Sequence, residues 1–180
     1  MVFSRREVIE RNGLFFEEGI IHEDNLFQWE LVSVCERAAV LNEPLYCRRI
    51  RQGSITQVDN YFQKCYSMYV SAKRADEFLK IHPEVNGTAA SWQIMWFARM
   101  VMCYWVSMDD GLKWDAEIVG FIRETRPLVN KYQYINDPEL SLFLTNVRLF
   151  YLHEEIYKRR KKITKAGRRM LRVLLRKSNE

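Results

Sequence analysis

AASWQIMWFARMVMCYWVS, residues Ala89 to Ser107, decides the fold. Its apolar side chains run nearly all round a helical projection: Trp92, Ile94, Met95, Trp96, Phe97, Val101, Met102 and Trp105. A helix apolar on every side belongs in the middle of a protein or in a membrane. Arg99 interrupts it, and the chain has no run of eighteen apolar residues, so the core is expected and a transmembrane span is not. Trp92, Trp96 and Trp105 are assigned to that core. A chain of 180 residues has the size to bury one such core with an appendage.

On the N-terminal side, Pro83 and Gly87 mark a break. Before it a long helix is expected from Ile55 to about Ile81, with Val58, Tyr61, Phe62, Cys65, Met68, Tyr69 and Ala72 as its apolar stripe. On the C-terminal side, Met108 to Gly111 reads as a loop and Trp114 to Glu124 as a helix, with Pro127 opening a further turn. Asp137-Pro138 starts another helix through about Leu152, the proline sitting in its first turn. The fold class is therefore mainly α, a helical bundle.

The basic residues are unevenly spread. Lys158 to Lys177 holds eleven of the 28 Lys and Arg and no acid, whereas the rest of the chain is mildly acidic. Ile163, Ala166, Met170, Val173 and Leu174 recur there at helical spacing, with basic residues on the other face. That pattern suits an interfacial helix, with Lys158, Arg159, Arg160, Lys161, Lys162, Arg168 and Arg169 set toward anionic lipid. The same stripe also suits a helix docked on the body. Nucleic acid fits less well, because few aromatic residues interleave the charges.

The N-terminus, MVFSRREVIE, has no signal-peptide apolar core, so a cytoplasmic location is expected, peripheral on the inner membrane face if the tail binds lipid. Cys35, Cys47, Cys65 and Cys103 are widely spaced, which suits reduced thiols. His22, His82 and His153 show no metal-ligand spacing.

Ser4 and Glu7 read as a capping box for a short helix that stops at Gly13, a left-handed position. FEEGIIHEDNLF, Phe16 to Phe27, follows and crowds Glu18, Glu23 and Asp24 between apolar residues. Asp24 or Asn25 begins a helix that shows Leu26, Phe27, Leu31, Val34 and Ala38 on one side. A short two-stranded β element is expected next: Ala39 to Leu41, a turn at Asn42 to Pro44, then Leu45 to Arg51. Gln52, Gly53 and Ser54 leave it.

The order of these two blocks resembles the acceptor-side half of bacterial glycosyltransferase family 2 enzymes. Their pattern reads roughly F-x-E-G-I-x-x-E-D-x-x-F, then L-Y-x-Y-R-x-R-x-x-S-I. Phe16, Glu18, Gly19, Ile20, Glu23, Asp24 and Phe27 fit the first block; Leu45, Tyr46, Arg49, Arg51, Ser54 and Ile55 fit the second. Arg48 replaces one family tyrosine, and the match covers about the first third of the chain. The resemblance implies a transferase of the GT-A type, moving a sugar from a nucleotide sugar to a glycan or lipid-linked acceptor. It places the catalytic base at Asp24, oriented by Glu23, and the donor diphosphate at Arg49, Arg51 and Ser54. A general base must be a carboxylate or similar group within reach of the hydroxyl, and paired guanidiniums suit a departing diphosphate.

Other readings stay open beside it. Glu23 and Asp24 also suit the positive end of a helix dipole, Arg49 and Arg51 a charged edge strand, and Ser54 a plain helix cap. The family's donor half carries an Asp-x-Asp type metal motif, absent here, and no Gly-rich phosphate loop occurs. The expectation is thus an acceptor-side remnant over 1–56, a helical domain over 57–157 and a basic tail over 158–180. Manganese or magnesium is expected in the complete enzyme and none in this chain, which would be inactive alone and prone to self-association through uncovered apolar surface. The alternative is a non-enzymatic helical interaction module with a membrane- or nucleic-acid-binding tail.

Overall fold

The computed structural model describes residues 2–47, 60–85, 87–132 and 136–177, with side chains described as far as Lys162. The described residues are mainly helical and fall into two compact units, Met1–Asn136 and Asp137–Glu180.

The first unit is built on a helical hairpin. Helix α3 (Tyr61–Ile81) and α4 (Gly87–Ser107) each span 21 residues, about 31 Å at 1.5 Å per residue. The Cys65 thiol near the start of α3 lies 3.9 Å from the Val101 carbonyl near the end of α4, so the pair is antiparallel. α3 presents small residues, Cys65, Ala72 and Ala75, and α4 presents large ones, Ile94, Phe97 and Val101; all six are fully buried. Small against large permits close approach without voids. The buried hydroxyls of Ser67, Ser71, Ser91 and Thr125 donate to carbonyls one turn earlier, which satisfies them inside the core.

α5 (Ala116–Lys131) runs alongside α3. Its Phe121 meets Phe62, Tyr66 and Tyr69 at centroid distances of 6.0, 5.5 and 4.9 Å. Pro127 lies inside this helix and does not open a separate turn. Thr125 and Val129 flank it and are both buried, so packing carries the helix across the missing N–H.

α1 (Arg6–Arg11) and α2 (Glu23–Val34) cover another side of α3. Leu14, Leu31 and Phe78 form their common core, closed by Trp29, Phe27 and Val34. Gly13 has φ +60, as its position after a short helix requires. Arg5, not Ser4, caps α1; the Ser4 hydroxyl donates to the Arg5 carbonyl and leaves the helix N–H groups alone.

In the second unit, α6 (Pro138–Thr145) and α7 (Val147–Lys177) are separate helices, where one continuous helix to Leu152 was expected. Asp137 caps α6 through Leu140 N–H at 3.0 Å, and Asn146 breaks the run by capping α7 through Leu149 N–H at 3.0 Å. Phe143 and Phe150 pack edge to face at 5.2 Å across the break.

Two further expectations are corrected. The two-stranded β element is not seen among the described residues: Ala39 to Cys47 carries no strand, and the remainder of the proposed second strand lies outside them. A strand needs a partner for its N–H and C=O groups and a face to cover, and Val40, Leu41, Leu45 and Tyr46 are all exposed. The tryptophans also divide. Trp105 is 1% exposed, but Trp92 is 61% and Trp96 40% exposed, so only Trp105 is a core residue. No helix among the described residues is long and apolar enough to cross a membrane.

Candidate functional site

The turn before α2 is built from two left-handed residues. Gly19 has φ +77, which glycine adopts without Cβ conflict. His22 has φ 65 and ψ 30, a conformation costing an ordinary residue about 1 kcal/mol. Such a turn persists only when its surroundings hold it. Ile20 is buried within it and Leu26 beyond it, and Phe16 stacks on Phe27 at 4.2 Å. α3 supplies two polar ties: the Ile21 N–H donates to Ser67 Oγ at 2.9 Å, and Gln63 Nε2 donates to the Gly19 carbonyl at 3.0 Å.

Glu23 and Asp24 therefore open α2, where the helix dipole favours negative charge. Glu23 is half-buried and Asp24 exposed. Neither enters an ion pair among the described residues, and the backbone turn sets where α2 begins to carry them. His22 caps α2 with its backbone and makes no side-chain cap bond.

A second acidic group lies deeper, and sequence reasoning missed it. Glu30 on α2 is buried. Burial first, then the charge of Glu17, pushes its carboxyl up to about 7, and Arg74 opposes the rise. Arg74 on α3 bridges Glu17 and Glu77, each at 2.7 Å. The signal was present: Glu30 falls inside the stripe Phe27, Leu31, Val34 at helical spacing.

The raised value has a consequence for stability. Below pH 4.5, the ordinary value, folded and unfolded chains both hold the proton. Between 4.5 and about 7 the unfolded chain releases a proton that the folded chain keeps, so stability falls by about 1.4 kcal/mol per pH unit. Above 7 both are ionised and the loss levels off. Glu30→Gln is expected to match the parent at pH 4 and to exceed it by about 3 kcal/mol at pH 8 in urea unfolding. Equal differences at the two pH values would remove this assignment.

At the far end of α3, burial favours a protonated Asp76, but hydrogen bonds from Lys131 (2.6 Å), Lys80 (2.8 Å) and Tyr132 (2.7 Å) outweigh it and hold the carboxyl at about 2. This ties the ends of α3 and α5 together and is structural.

Arg49, Arg51 and Ser54 lie outside the described residues. Lys158, Arg159, Arg160, Lys161 and Lys162 are exposed on α7, and the backbone of Arg168 and Arg169 continues that helix. His82 pairs with Glu84 at 3.0 Å. Among the described residues no group of three or more His, Cys, Asp or Glu converges as a metal site.

No family model, no curated protein and no solved structure matches the chain.

Proposed function

We propose that this chain carries the acceptor-side region of a glycosyltransferase that moves a sugar from a nucleotide sugar to a glycan or lipid-linked acceptor. The observation that carries the reading is the turn Gly19–His22. Two left-handed residues, tied to α3 from both sides, deliver an exposed Asp24 beside Glu23 at the mouth of α2. Strained backbone that leads to a carboxylate with no ion pair among the described residues is the kind of feature that clusters at reacting groups. In this role Asp24 accepts the proton of the attacking hydroxyl, and Glu23 orients it. Arg49, Arg51 and Ser54 would meet the leaving diphosphate, by the resemblance of their motif.

The reading assigns nucleotide recognition, with its manganese or magnesium, to a donor-binding half that this chain does not supply. Calorimetric titration of the chain with nucleotide sugars and either metal is expected to give no stoichiometric binding. Clear binding, or any sugar transfer by the chain itself, would overturn that division of labour.

A second reading concerns α7, a 31-residue helix whose exposed Lys158 to Lys162 begin its basic stretch. We propose that it rests on an anionic membrane surface, where each Lys or Arg contributes about 1 kcal/mol. In flotation, the chain is expected to rise with anionic vesicles, and a version ending at Tyr157 is not. Equal recovery with neutral and anionic vesicles removes the membrane role.

A further inference from the structure

Ser67 is fully buried on α3, and its hydroxyl works in both directions. It donates to the Gln63 carbonyl at 2.7 Å and accepts the Ile21 N–H at 2.9 Å, 46 residues away in sequence. One turn earlier the Gln63 amide reaches the Gly19 carbonyl. The two contacts bracket Ile20, the buried residue of the turn. Immediately beyond them come the left-handed His22 and then the acid pair.

We propose that Ser67, supported by Gln63, is the positioning residue for Asp24. This rests on the reading of Glu23 and Asp24 as the acceptor-side acids. Neither acid is steered by an ion pair among the described residues, so the direction of α2's first turn sets where the Asp24 carboxylate stands. That direction is fixed by φ at His22, and His22 returns to an ordinary conformation if the turn is released. Ser67 opposes the release by holding the residue just before it. A general base acts only within about 2.6–3.2 Å of its proton, and a misplacement of about 1 Å costs about 100-fold. α3, the helix at the centre of the first unit, thereby sets the register of the reacting carboxylate.

The test uses Ser67→Ala and Gln63→Ala with two readouts. In amide hydrogen exchange on this chain, Ser67→Ala is expected to speed Ile21 at least tenfold, while Ile94 and Phe97 in α4 change less than twofold. In the complete enzyme, Ser67→Ala is expected to lower kcat at least tenfold with the KM for the nucleotide sugar unchanged, and Gln63→Ala to do so more weakly. Equal acceleration at Ile21, Ile94 and Phe97 would mean a general loss of stability and overturn the proposal. So would local loosening at Ile21 with a normal kcat while Asp24→Asn is inactive. Normal turnover in both Ser67→Ala and Asp24→Asn would instead sink the acid-pair reading on which the proposal stands.

Discussion

Asp24→Asn in the complete enzyme is expected to lower sugar transfer by about 10²- to 10⁴-fold, the range lost when a general base is removed. Asparagine keeps the shape and hydrogen-bonding capacity of the side chain but cannot take up a proton at working pH. Stability should change by less than about 0.5 kcal/mol, because Asp24 is exposed and makes no ion pair among the described residues. A few tenths of that reflect the lost charge at the start of α2. The KM for the nucleotide sugar should hold, since the proposed role places Asp24 on the acceptor side. Glu23→Gln should cost less, because in the proposed role Glu23 orients Asp24 and does not meet the hydroxyl. Near-normal turnover with Asp24→Asn removes Asp24 as the base and returns the pair to the ordinary role of acids at a helix start.

Trp105→Ala is expected to cost about 3–5 kcal/mol in urea unfolding, a large part of the stability of a domain this size. Its indole is 1% exposed and joins α4 to the segment leading into α5. Nε1 donates to the Lys113 carbonyl at 3.0 Å, Trp114 meets its ring edge to face at 5.8 Å, and the buried Lys113 ammonium lies 5.6 Å from its centre. Truncation leaves a cavity, a Lys113 carbonyl that has lost the indole N–H, and a buried cation without its ring. The control is Trp92→Ala on the same helix, which should change stability by about 0.5 kcal/mol or less because the side chain is 61% exposed. Equal costs at the two positions would contradict the burial that separates them.

Those two tryptophans show where reading a sequence stops. They are thirteen residues apart, which is about 220° around a helix, so they cannot share one face. Composition saw only a helix rich in aromatics and assigned both to the core. That α4 is a helix, that Gly13 ends α1, and that Pro138 opens α6 were all readable, because helix bonds join residues four apart and their end signals are local. The acid pair at the head of α2 was readable for the same reason.

The rest depended on contacts between distant parts of the chain. A strand at Ala39 to Leu41 required a neighbour that local pattern cannot supply, and none covers it among the described residues. The place of Glu30 in an apolar stripe was legible, but its ionisation was set only where α2 lies against α3, where burial and Glu17 raise its carboxyl. The left-handed His22 is invisible in the letters, because nothing about histidine demands φ 65. Sequence named the acids, but only the tertiary ties from Ser67 and Gln63 decided the turn that presents them. The physical reason is range. Helix bonding and capping act within one turn, whereas burial, strained backbone and carboxyl ionisation answer to whatever packs alongside.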